Sequence, residues 1–211
     1  MRAIFIYLLL STISTTALSQ GKTDNGSSKW DYSIKCAFGN IEQSVNGLSR
    51  ASDTHNLWGF INSRGEWVIK PIFKSCTNFD KNNLSKVCIA IKGVGLRYGF
   101  INRNGTFVIP ARYPSMTSFN GGYAVAQDRN GLFGLLDMKG NWVIKPMFEA
   151  LTPFQNGLAK ATKGDKVGFI DLSGEWIVPP IFEQAKFQDK NSVIVKKNGL
   201  WGVVRFTRTY K

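Results

Sequence analysis

One histidine, three cysteines and fourteen carboxylates are the groups through which this 211-residue chain could do acid–base, nucleophilic or metal chemistry. His55 sits among Asp53, Thr54 and Asn56, a polar connection that reads as a solvated loop. A general base or a triad histidine would have to be paired and held in a site, which a solvated loop does not supply. Cys36, Cys76 and Cys88 lack the C-x-x-C spacing of zinc or redox sites. They read either as one disulfide with a spare thiol, for which Cys76 and Cys88 are the preferred pair, or as three buried thiols. No Asp-rich loop has calcium-binding spacing, and Lys92-Gly93-Val94-Gly95 lacks the helix that a phosphate cradle needs. No metal or cofactor is expected.

Cations offer the stronger signal, because the formal charge is +13. Lys92, Arg97, Arg129, Lys163, Lys166, Lys196 and Lys197 recur in connections that lead into one type of strand. Arg50, Lys86 and Lys160 hold a second recurring place. Stacked in register, such residues would form rows able to attract a polyanion. A solvated basic surface gives the same rows, and Asp128 and Asp165 interrupt the first.

What must position these residues is a tandem repeat. Leu57-Trp58-Gly59-Phe60-Ile61 through Phe73 returns at Tyr98 to Tyr113, Phe133 to Phe148 and Val167 to Phe182, and its opening returns at Leu200-Trp201-Gly202. The first glycines, Gly59, Gly99, Gly134, Gly168 and Gly202, are spaced by 40, 35, 34 and 34 residues. In each copy an aromatic-Gly strand meets a tight turn, with Asn or Asp three residues before Gly65, Gly105, Gly140 or Gly174. Asx bonds its own backbone there and glycine supplies the left-handed position. A second strand runs from Trp67, Phe107, Trp142 or Trp176 to a proline, where it should bend or leave its sheet. A loop entered at Phe79, Phe119, Phe154 or Phe187 leads to a third strand of small and apolar residues. The full units lie near 57–91, 97–127, 132–162 and 166–196, with partial units at 47–51 and 200–211.

The repeat also judges the carboxylates. Asp137 and Asp171 occupy the place that Asn62 and Asn102 hold elsewhere, so this position serves hydrogen bonding rather than ionisation. Glu66 and Glu175 are likewise equivalent and should face solvent. No pair stands out as the acid and base that glycoside cleavage requires.

The pattern aromatic-Gly-Phe/Leu-Ile/Leu-Asn/Asp-x-x-Gly-x-aromatic-Val-Ile-x-Pro-x-aromatic, followed by Phe-x-x-Gly-Leu-Ala-x-Ala, resembles the WG repeat family over residues 47–204. Tyr98, Phe133 and Val167 replace the naming tryptophan, and Ala111 stands where other copies have proline. The resemblance implies a β-repeat scaffold with a binding or interaction role and no catalytic residues. The fold expected is all-β, with repeats of three short strands in an open curved array rather than a closed propeller-like ring. A ladder between residues 47–51 and 200–210 would mark the closed form.

The first 19 residues read as a signal peptide: Arg2, the apolar run from Ile4 to Leu10, then small residues from Ser14 to Ser19. Residues 20–46 read as a partly disordered leader, with one strand near Ser33 to Cys36. The mature chain is then expected outside the cytoplasm, secreted or periplasmic, with no membrane span. The expected function is non-catalytic binding or scaffolding for an envelope glycan, another polyanion or a protein partner. The alternative is a carbohydrate-active enzyme of the cell envelope. Nucleic acid is not an expected partner.

Overall fold

The Asx–glycine turns close as their residue types dictate. Asn62 Oδ1 accepts the N–H groups of Arg64 and Glu66 at 2.9 and 3.0 Å, and Asp171 Oδ1 accepts those of Ser173 and Glu175 at 2.9 and 3.0 Å. Gly65, Gly105, Gly140 and Gly174 have φ of 75°, 79°, 83° and 89°, the left-handed region that a Cβ resists. A Cβ on Gly140 would also stand 3.3 Å from the Ile109 side chain, so this glycine serves packing as well as the turn.

A computed structural model describes residues 37–207, and among them there is no helix. The strands form five antiparallel sheets. The first holds β1 (Asn40–Ile41), β2 (Ser49–Ser52), β3 (Trp58–Ile61) and β4 (Trp67–Phe73). The second holds β5 (Ser75–Cys76), β6 (Ser85–Ile91), β7 (Gly95–Ile101) and β8 (Phe107–Tyr113). The third has three strands, β9 (Tyr123–Gln127), β10 (Phe133–Asp137) and β11 (Trp142–Phe148). The fourth holds β12 (Ala150–Leu151), β13 (Ala159–Lys163), β14 (Lys166–Ile170) and β15 (Trp176–Phe182). The fifth holds β16 (Gln184–Phe187), β17 (Ser192–Lys197) and β18 (Leu200–Arg205). The expected signal peptide and the strand near Ser33 to Cys36 lie outside the described residues. Residues 40–41 of the leader join the first sheet, where Ile41 pairs with Ala51.

The sheets are cut in a different phase from the sequence units. The third strand of a unit does not pair with the hairpin before it; it pairs with the aromatic-Gly strand of the next copy. Thus Val87 of β6 lies opposite Gly99 of β7, and Ala161 of β13 opposite Gly168 of β14. The extra residues of the longest step, 91 to 96, extend the β6–β7 hairpin, with Ile91 opposite Gly95.

Proline does not end the second strand. Between Phe133↔Phe148 and Leu135↔Ile144 the register jumps, so β11 bulges where Pro146 lies and then resumes pairing. The signature glycine is the residue that this bulge covers. A Cβ on Gly134 would lie 2.5 Å from the Ile144 carbonyl oxygen, and one on Gly99 2.5 Å from that of Ile109. The space is too small for any side chain.

Successive sheets pack on one another: β3 and β4 lie against β5 and β6, and β14 and β15 against β16 and β17. Strand alternation supplies each interface from both sides. Phe100 enters the core with the third sheet, while Ile101, the next residue, enters the core with the first. Phe169 and Ile170 divide in the same way. Small residues allow close approach where expected, since Ala124, Ala126, Ala159 and Ala161 are all fully buried. Aromatic edges join the layers, as in Tyr113 on Trp142 at 5.8 Å and Phe148 on Trp176 at 5.6 Å. At the first sheet Phe38 takes the same part, edge-on to Trp67 at 5.2 Å.

The array is open. Strand β2 pairs with β1 and β3, and β18 pairs with β17; no ladder joins the first sheet to the fifth among the described residues. Tyr210, which falls eight residues after Gly202 as Trp67 does after Gly59, lies outside them. The preferred disulfide is corrected. Cys76 and Cys88 are buried free thiols. Cys76 pairs with Val87, and both enter the core against the first sheet, so Cys88, one residue on, points to the opposite face. Burial pushes the Cys76 thiol up to about 12, which leaves it an inert small apolar group.

Candidate binding surface

The carboxylates come first, because catalysis would need some of them free. Asp53, Asp80, Asp128, Asp137, Asp171 and Asp189 each accept backbone N–H groups of their own turns, at 2.7 to 3.0 Å. Glu149 Oε1 accepts the Gly164 N–H at 3.1 Å, and Glu183 the Gly199 N–H at 3.3 Å. His55 is exposed, with Nδ1 3.6 Å from Asp53 Oδ2. Among the described residues no cluster of three or more His, Cys, Asp or Glu could hold a metal ion.

The turn bonds leave an electrostatic mark. Asp137 is held below the usual carboxylate range, chiefly by the Asn141 N–H that its Oδ1 accepts at 2.8 Å. A carboxylate with a depressed folded value contributes stability above its unfolded value, near pH 4, and loses it as pH falls through the folded one. Asp137→Asn should therefore be close to neutral at pH 7, since Asn62 and Asn102 make the same bonds in sister turns. The variant should lose less stability than the parent between pH 5 and pH 2. Urea midpoints at the two ends check this; an equal loss in both proteins would refute the assignment.

The seven candidate cations divide by position. Lys92, Arg129, Lys163, Lys166 and Lys197 lie at or beside the hairpin tips that join β6 to β7, β9 to β10, β13 to β14 and β17 to β18. These tips hold equivalent places in the second to fifth sheets. Lys163 and Lys166 are direct cross-strand partners, and Lys166 Nζ is 3.0 Å from Asp165. Arg97 sits within β7 and donates to the Leu96 carbonyl at 2.7 Å. Lys196 leaves this rim altogether; its Nζ stands 6.0 Å from the centre of the Trp201 ring.

The second row is not a surface row. Arg50 donates to the Cys76 carbonyl, at 2.6 Å, and to Glu42; Lys86 reaches the Met116 carbonyl at 3.1 Å and Lys160 the Ala185 carbonyl at 3.4 Å. Each cation thus ties its own sheet to the first strand of the next, or to that strand's place in the third. Burial holds Lys86 below its usual value. Sequence spacing found these residues but could not tell a surface row from staples between layers.

One feature escaped the sequence. The outward face of the fifth sheet carries no further sheet among the described residues, leaving Trp201 48% and Val203 54% exposed. Their equivalents in earlier copies, Trp58 and Phe60, pack into an intersheet core. Lys186 Nζ lies 5.2 Å from the Trp201 ring centre, so two ammonium groups flank one exposed indole.

Five sheets built on one signature call for a comparison with known repeats. The model of the WG containing repeat matches residues 58–90, 98–132, 133–166 and 168–201. The chain belongs to the WG repeat family. Its matched copies begin at the aromatic-Gly strand, so each spans two adjacent sheets. No curated protein matches the sequence. Among solved structures, the chain is similar to the computationally designed Ika4 protein at 16% identity and TM-score 0.40, over 61% of this chain and 88% of that one. It is similar to the WD40 β-propeller domain of Doa1 at 12% identity and TM-score 0.35, over 79% and 62% of the two chains. BamB from Moraxella catarrhalis matches at 10% identity and TM-score 0.40, over 86% and 62%. These superpositions are loose, and the family assignment rests on the repeat alone.

Proposed function

We propose that this WG repeat chain is a non-catalytic binding or scaffolding module acting outside the cytoplasm. Its ligand is an anionic glycan of the cell envelope, another polyanion or a protein partner. The observation that carries the reading is the rim on which equivalent hairpin tips bear Lys92, Arg129, Lys163, Lys166 and Lys197. Cations summed along such a rim draw an anionic chain by long-range attraction. The turn-bound aspartates add support, since a carbohydrate-active enzyme needs two carboxylates free to face one bond. Placement outside the cytoplasm follows from Arg2 and the apolar run at residues 4–10.

Charge reversal of Lys92, Lys163, Lys166 and Lys197 to Glu tests it. Retention on a heparin column at low salt should fall sharply, while the circular dichroism spectrum stays that of the parent. Raising the salt should weaken the parent's retention as well. Binding that ignores both salt and the four reversals would overturn the reading.

A further inference from the structure

The repeat is its own control, because each position of the fifth sheet can be compared with four sister sheets. Cross-strand pairing places Lys186 beside Ile194 and Ile194 beside Val203. Two residues along, Lys196 pairs with Trp201; at the far end Arg205 pairs with Ser192. All six of the residues Lys186, Ile194, Lys196, Trp201, Val203 and Arg205 therefore lie on the face that points away from the fourth sheet.

The copies differ at this face in one direction. Lys186 stands where the second, third and fourth sheets carry Thr77, Thr117 and Thr152. Each of those hydroxyls accepts the N–H of the neighbouring strand at 3.0 Å. Lys196 replaces Ser52, Cys88, Gln127 and Thr162, and Arg205 replaces the turn residues Asn62, Asn102, Asp137 and Asp171. Val203 replaces Phe60, Phe100, Leu135 and Phe169, each at most 2% exposed. Three positions have become cationic, and the largest apolar anchor has shrunk. Glu183 is engaged with the Gly199 N–H. Asp189 accepts the Asn191 N–H and the Ser192 hydroxyl and also feels the charge of Arg205, so Lys186 and Lys196 are the cations of this face with no acid beside them in sequence.

Those changes remove what would seat another sheet and add what holds an anion. A head-to-tail second copy is also disfavoured by the first sheet. Its receiving position carries Ser44 where sister sheets have Phe79, Phe119 and Phe154, and Ala51 and Ile61 are already 0% and 4% exposed. We infer that the outward face of the fifth sheet binds a linear carboxylated polysaccharide. The Trp201 indole, with Ile194 and Val203, meets the apolar faces of the sugar rings, and Lys186, Lys196 and Arg205 pair with the carboxylates. This inference rests on the polyanion reading above: it assigns the ligand class and adds a place of close contact to the long-range pull of the rim.

The test uses variants that install residues interior sheets already carry. Lys186→Thr with Lys196→Thr copies the fourth sheet, and Trp201→Val copies its Val167. The probe is a galacturonate oligomer, with neutral dextran and a polyglutamate peptide as comparisons. Calorimetry should show both face variants weakening galacturonate binding by roughly tenfold, about 1.4 kcal/mol. A rim variant, Lys163→Gln with Lys166→Gln, should weaken binding less than either face variant, and a variant away from both places, Lys70→Gln with Lys74→Gln, should stay within about twofold. A ligand-dependent shift of tryptophan emission should vanish in Trp201→Val. If galacturonate binds but only the rim variant weakens it, the face assignment falls and the polyanion reading stands. If polyglutamate binds through the face and galacturonate does not, the ligand class is wrong. If neither polymer binds the parent chain, this inference falls, and retention on heparin decides the wider polyanion reading.

Discussion

Gly134→Ala is expected to cost about 3 kcal/mol of stability, while the same change at Gly202 should cost no more than about 0.5 kcal/mol. Neither glycine has positive φ, so the usual argument from backbone freedom does not apply. What differs is the partner strand. At Gly134 the bulge of β11 brings the Ile144 carbonyl oxygen 2.5 Å from where a Cβ would stand, with Pro146 N at 2.8 Å. Both are backbone atoms of a paired strand, and they can retreat only if the bulge opens. At Gly202 nothing lies within 4 Å. Chemical denaturation of both variants at one pH measures the contrast. Equal losses would mean that the glycine is required for conformation and not for the approach of the bulge.

The second large effect should follow from Phe148→Ala, at about 4 kcal/mol. Phe148 is fully buried between the third and fourth sheets, among Leu135, Ile144, Leu151 and Ile170, with Trp176 edge-on at 5.6 Å. Deleting its ring leaves a cavity in the layer that joins the two halves of the array. Repeat arrays hold together through nearest-neighbour interfaces, so the variant should unfold in two steps where the parent shows one. Met147→Ala, one residue away and 49% exposed in the parent, serves as the control and should be nearly silent. A single transition with a loss under about 1 kcal/mol would show that the intersheet core is not what couples the layers.

Local chemistry was fully legible in the sequence. The Asx–glycine turns depend on bonds spanning four residues or fewer, such as Asn62 to Glu66, and these are written into adjacent residue types. The interchange of Asn and Asp at one turn position assigned Asp137 and Asp171 to turn bonds, and both make them. Pairing was not legible. Nothing in Val87 says whether its strand joins the hairpin before it or the strand after it, because a strand's edge is satisfied by whichever neighbour the layers bring alongside. The faces of Cys76 and Cys88 followed from that register, and so did the conversion of Arg50, Lys86 and Lys160 from a surface row into staples.

The signature glycine shows the boundary most plainly. Its recurrence was visible at once, but its reason is a carbonyl ten residues further along the chain, brought overhead by a bulge that only the paired strands create. The two ends of the array repeat the lesson in one tripeptide. Leu57-Trp58-Gly59 and Leu200-Trp201-Gly202 are identical in sequence and both open an aromatic-Gly strand. Trp58 packs into the core with the second sheet, and Trp201 stands 48% exposed between two lysines. Residue type sets how much apolar surface a side chain carries; whether water is removed from it depends on the layer that lies on top.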